Sequence, residues 1–266
     1  SGQSIKEFIE NPANGIRVNA TVTPKRYAVA HYDDSKPAGS KWTYYTEDDI
    51  QTNTLTFEKG KGYIISRSTN GSVHFTGTLT TTDVSVTTMA GQWNSLGNPY
   101  TAYMPVNNNA GTNFIQENLS KFNPANVGVY IWDVTQNKYI AKTLVGTPTS
   151  LPVGQGFFVR TTDGVNSLNF KEAQRLVDGT GVGVFSRKQA TPSIQLIAKQ
   201  GAIAVDTNIK FMANATEGLD AGYDVGNFGG ADFDVFTRLV SGESTVDFTL
   251  QSLPNSNYEG VRIPLG

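Results

Sequence analysis

The chain uses one short motif twice, and that repetition limits the fold more than any other feature. Gly60-Lys61-Gly62-Tyr63-Ile64-Ile65 returns as Gly154-Gln155-Gly156-Phe157-Phe158-Val159. Each copy runs into a polar turn, Ser68-Thr69-Asn70-Gly71-Ser72 or Thr161-Thr162-Asp163-Gly164-Val165, and then into another alternating segment. Gly-X-Gly ahead of aromatic and β-branched residues, followed by Asn-Gly or Asp-Gly, describes a strand entering a tight hairpin turn. A phosphate-binding loop would need a helix to begin after the glycines. Here Tyr63-Ile64-Ile65 continues a strand, so the glycines are read as permitting a bulge or a close backbone approach.

Aligning the copies extends the repeat upstream. Tyr27-Ala28-Val29-Ala30-His31-Tyr32-Asp33-Asp34 corresponds to Val127-Gly128-Val129-Tyr130-Ile131-Trp132-Asp133, a strand ending on an aromatic and an acid. A polar turn and an aromatic strand follow, Lys41-Trp42-Thr43-Tyr44-Tyr45 in one copy and Lys138-Tyr139-Ile140-Ala141 in the other. Downstream of the motif, Val73 and Phe75 match Leu168 and Phe170. The second copy is preceded by residues 91–100, which the first copy lacks. The first copy is therefore expected to begin inside a repeat, with an unpaired strand edge through which chains would self-associate. Past residue 187 the pattern changes, and alternating segments at 193–199, 209–213, 232–239 and 245–250 read as strands of a sandwich. The expected fold is all-β: two tandem related β units, about 1–85 and 86–184, followed by a β-sandwich at 185–266. Short helices are expected only at 4–10 and 112–122.

Composition narrows the function classes. With 17% charged residues and a formal net charge of -2, the chain has no long-range field to attract nucleic acid or an anionic membrane. Without cysteine it has no disulfide, thiol nucleophile or sulfur-ligated zinc. No apolar run is long enough to form a transmembrane helix. The two histidines, His31 and His74, sit in strand-like settings without a nucleophile elbow or metal-ligand cluster, and read as structural or surface groups. Acids such as Asp33, Asp34 and Asp133 stand beside turns, where carboxylates ordinarily accept backbone hydrogen bonds. The chain reads as non-catalytic.

Two sets of side chains offer binding chemistry. Trp42 and Tyr44 share one strand face, which if exposed would form a platform for stacking sugar rings and if inward would be core, as large aromatics more often are; Trp93 and Trp132 are read as core. Asp220, Asp224, Asp232 and Asp234, interleaved with glycines, supply hard oxygen ligands for a structural calcium, with Asp-Gly turn formation as the other reading. No other cofactor is expected.

Several segments in order resemble the accessory region of secreted, multidomain proteins of Bacteroidetes-type bacteria, upstream of the C-terminal sorting domain read by the type IX secretion system. They are Trp93-Asn94-Ser95-Leu96-Gly97-Asn98-Pro99-Tyr100, Val129-Tyr130-Ile131-Trp132-Asp133, residues 151–159, Gly218-Leu219-Asp220-Ala221-Gly222-Tyr223-Asp224 and Ile263-Pro264-Leu265-Gly266. The resemblance implies export across the outer membrane and a place on the cell surface or in the medium. A sorting domain is not among residues 1–266. The expected role is a structural or adhesion module whose partner is a polysaccharide or another cell-surface protein, with a carbohydrate-binding module attached to a polysaccharide-degrading enzyme as the alternative.

Overall fold

Ser4 sets the first element by closing a capping box. Its hydroxyl accepts from the Glu7 N–H at 3.0 Å, and the Glu7 carboxylate accepts from the Ser4 N–H. Helix α1 (Ile5–Glu10) then buries Ile5, Phe8 and Ile9 against Ile16, Val29, Ile50 and Phe57. The structure, a computed structural model, describes residues 2–107, 112–177, 191–229, 231 and 233–266. Behind α1 stand β1 (Val18–Asn19), β2 (Arg26–Tyr32), β3 (Trp42–Thr46) and β4 (Tyr63–Ile65), with β2 flanked by β3 and β4.

The second region contains β5 (Val84–Thr87), β6 (Trp93–Gly97), β7 (Met104–Pro105), α2 (Phe114–Glu117), β8 (Val129–Asp133), β9 (Lys138–Lys142), β10 (Ser150–Leu151), β11 (Gly156–Arg160) and β12 (Ser167–Phe170). Its main sheet runs β6-β11-β8-β9, and β12-β5 and β10-β7 form two-stranded sheets. Leu96, Phe114, Phe157, Leu168 and Phe170 fill the core between them. The helix is shorter than the 112–122 pattern predicts. Asn118 ends it by turning its amide to β12, donating to Asn169 O at 2.9 Å and accepting from Asn169 N at 2.8 Å. Such a side chain offers the backbone a strand-like partner in place of a further helical turn.

The third region is a four-stranded sheet of β13 (Ser193–Gln200), β14 (Ile203–Met212), β15 (Val225–Gly226) and β16 (Phe248–Pro254), in the order β13-β14-β16-β15 with β14 and β16 parallel. Its Val225 and Leu250 share a cluster with Tyr130 and Phe158 of the second region's sheet. Within 232–239, the described residues make isolated bridges from Thr237 to Phe248 and Leu265. Among the described residues the molecule is all-β with two short α-helices, as expected. Among the described residues no helix is long and apolar enough to cross a membrane.

The first Gly-X-Gly segment finds a strand partner within the chain. Gly62 N donates to Ser95 O at 3.0 Å and Gly97 N donates to Gly60 O at 2.9 Å, so the first Gly-X-Gly segment pairs with β6. The opposite edge of β6 pairs with β11, the second Gly-X-Gly strand. One strand therefore serves both motifs. The Gly60–Gly62 backbone is thus paired within the chain. The second and third regions are also tied: Gly226 N donates to Ala125 O at 2.6 Å, and the Tyr130 hydroxyl donates to Gly226 O at 2.7 Å.

Candidate ligand groove

Two cross-strand aromatic pairs shape the larger of two concavities among the described residues. On β2 and β3, Tyr32 stands opposite Trp42 with ring centroids 5.3 Å apart; on β8 and β9, Trp132 stands opposite Tyr139 at 5.1 Å. Both pairs are edge-to-face, an arrangement favoured by the ring quadrupole. The buried ring of Phe158 joins them, lying 4.6 Å from Tyr32 and 5.2 Å from Tyr139. Phe228, from the segment after β15, reaches Trp93 at 4.6 Å and Tyr139 at 4.4 Å. The result is a groove of about 830 Å³ that all three tryptophans line, with Gln136, Asn137, Gln200 and Asn227 among its polar groups. Its size is within the range of small-molecule clefts, about 300–1,000 Å³.

The exposure of these rings differs from the sequence expectation. Trp132, read as core, is 44% exposed at the groove, on the end of β8 that pairs with β9 beyond the Phe158–Tyr130 pairing to β11. Trp93, also read as core, is partly buried and lines the groove. Trp42 lines the groove, whereas Tyr44, 36% exposed, lines a neighbouring cleft of about 350 Å³ with His31, Tyr45, Glu58 and Tyr63. The structure thus brings Trp42 together with Trp93 and Trp132, and places Tyr44 in the second concavity. In that cleft His31 Nδ1 is buried without a hydrogen-bond partner, and burial, followed by the nearby Lys36 charge, lowers the imidazole pKa.

The acids flanking the aromatic pairs are occupied by local bonds. Asp33 accepts from Ser35 N at 3.0 Å and Ser35 Oγ at 2.6 Å; Asp133 accepts from Thr135 N at 2.7 Å and Thr135 Oγ1 at 2.5 Å. Hydrogen bonds from these hydroxyls hold both carboxyls below the usual range. Asp34 is a junction, accepting from Lys41 Nζ at 2.5 Å, Tyr32 Oη at 2.8 Å and Trp93 N at 2.9 Å. Burial pushes its pKa up, but these donors together outweigh burial and leave it lowered. The Tyr32 hydroxyl is pushed strongly up, by burial first and by its bond to Asp34 second.

The candidate calcium ligands separate into two settings. Asp224 is buried and accepts from Asp220 N and Ser252 N, each at 2.6 Å, while Asp220 accepts from Thr216 N and Thr216 Oγ1. Asp234 lines the groove and accepts from the Asn227 amide and from Val235 N. Asp232 lies outside the described residues. Among the described residues, no three His, Asp or Glu side chains gather in a set able to hold an ion. The observed partners of Asp220 and Asp224 are N–H and O–H donors, local ones from Thr216 and Asp220 and, for Asp224, a long-range one from Ser252 of β16.

Tyr139 and Phe228 were not singled out as site residues by the sequence. For Tyr139 a signal exists, since the aligned copies place an aromatic opposite an aromatic in both strand pairs. For Phe228 there is none, because it reaches the groove from a different sheet. Set against models of known protein families, curated proteins and solved structures, the chain matches none.

Proposed function

We propose that the chain is a non-catalytic adhesion module of a secreted or surface-attached bacterial protein, and that it recognises polysaccharide in the three-tryptophan groove. The observation that carries this reading is the exposed ring of Trp132 in the same open groove as Trp42, a groove lined in part by amide side chains. Flat aromatic faces offer apolar area to the C–H face of a sugar, and amides at the edge match hydroxyls with both donors and acceptors. The resemblance to type IX accessory regions supports export by that route and a place at the cell surface. Matching arrangements, with β2 between β3 and β4 and β8 between β9 and β11, support reading 1–85 and 86–184 as related units.

The test is affinity electrophoresis through gels containing soluble polysaccharides, with Trp132→Ala and Trp42→Ala. Retardation by a glycan is expected for the native protein, and loss of about tenfold or more in affinity for Trp132→Ala, as for an anchoring aromatic. A retarded protein whose mobility is unchanged by both substitutions would contradict the groove as the site.

A further inference from the structure

We infer that the groove selects uncharged glycan chains over uronic-acid or sulfated ones; this rests on the glycan reading above and adds the ligand class. The ground is the state of the charges in its wall. Two lysines line the groove, Lys41 and Lys138, and both are already engaged. Lys41 Nζ lies 2.5 Å from Asp34 Oδ1. Lys138 Nζ lies 3.3 Å from Asp206 Oδ1 and donates to the Asp206 carbonyl oxygen at 3.1 Å. Both pairs are partly buried, and each acid has further donors: Tyr32 and Trp93 for Asp34, Gln195 and Asn208 for Asp206.

Drawing either lysine to a ligand carboxylate or sulfate would strand a partly desolvated aspartate, and removing one partner of such a pair is costly. The remaining charged group of the described lining, Asp234, is an acid, so the wall leaves no cation unpaired and one carboxylate that repels anions. Arginine, whose planar fork suits carboxylate and sulfate recognition, does not occur in the described lining. The other polar side chains of the described lining include the neutral amides of Gln136, Asn137, Gln200 and Asn227, of which Asn227 donates to Asp234 and accepts from Gly229 N. Amides bond hydroxyls without favouring either sign of charge. A ligand that is polyhydroxylated and uncharged satisfies this wall; one carrying an acid on every ring does not.

The experiment measures binding of the full chain by calorimetry to two sets of glycans, neutral (β-glucans, mannan, xylan) and acidic (alginate, polygalacturonate, a sulfated galactan). Each set is run at about 0.05 M and about 0.5 M salt, which shortens the Debye length from roughly 14 Å to roughly 4 Å. The expected result is binding confined to the neutral set, changing by less than about twofold with salt and falling about tenfold or more in Trp132→Ala. Trp132 is exposed, and an unchanged melting temperature verifies that the variant is folded. Equal or tighter binding of an acidic glycan, weakened by salt, would overturn the inference while leaving the glycan reading standing. Binding that survives in Trp132→Ala would place the ligand elsewhere and overturn the inference about this groove. Absence of binding to every glycan would overturn both.

Discussion

Asp224 shows how one side chain can set a pH dependence for a whole region. Its carboxylate is buried and receives two N–H groups, but burial dominates and, with the nearby Asp220 charge, pushes the pKa up to about 6. An unfolded aspartate titrates near 3.9, so between about pH 4 and about pH 6 the folded state binds the extra proton. Stability contributed by this group is therefore present at the acid end of that window and declines as pH rises through it. Asp34, Asp33, Asp133 and Asp206 have lowered pKa values and act in the opposite sense, losing their contribution as pH falls through and below about 4. The native protein minus Asp224→Asn isolates the first effect. Urea titrations at several pH values should show the native protein losing, relative to the variant, on the order of 1–3 kcal/mol between pH 4 and pH 7. A constant difference across that range would contradict the assignment.

Among the elements, β6 and the two Gly-X-Gly segments form the unit that explains the repeated motif. Leu96, fully buried, bridges to Lys61 on one side and pairs with Phe157 on the other. The two motifs approach it differently. A Cβ at Gly62 would collide with Ser95 Oγ and lie 2.7 Å from the Leu96 carbonyl oxygen, and one at Gly60, at φ +75°, would meet the Val86 side chain. A Cβ at Gly156 would lie 3.7 Å from the same carbonyl, an ordinary contact. Gly62→Ala is thus expected to cost about 1–3 kcal/mol through overpacking against main chain, and Gly156→Ala less than about 1 kcal/mol. Chemical denaturation of the two variants decides this; equal losses would show that the closer approach at Gly62 carries no cost of its own. The motif was legible in the sequence as a strand with a close backbone approach. Which copy needs the approach was not, since both read Gly-X-Gly and only the distance to β6 separates them.

At the scale of the molecule, no region closes its polar and apolar surface by itself. The first region lends an edge to β6, Trp93 N is held by Asp34, and Tyr130 of β8 is bonded to Gly226 of the third sheet. The cluster around Phe158 draws rings from all three. Unfolding should therefore be a single cooperative event: tryptophan fluorescence and far-ultraviolet circular dichroism are expected to give coincident transitions in urea. Separated midpoints would mean that the regions fold as independent domains.

Neighbours along the chain settled the local features. Alternation and glycine punctuation specified the all-β class, Ser4 and Glu7 specified the capping box, and Asp33 and Asp133 specified the turns they close, since each depends on groups a few residues apart. Only the tertiary structure decided that β6 is shared, that Trp132 stands exposed rather than in the core, that Tyr44 faces a different concavity from Trp42, and that Phe228 completes the groove. Those outcomes depend on which sheet edge pairs with which and on where two sheets stack. Backbone pairing and burial are satisfied between segments remote in sequence, and local periodicity carries no record of the partner.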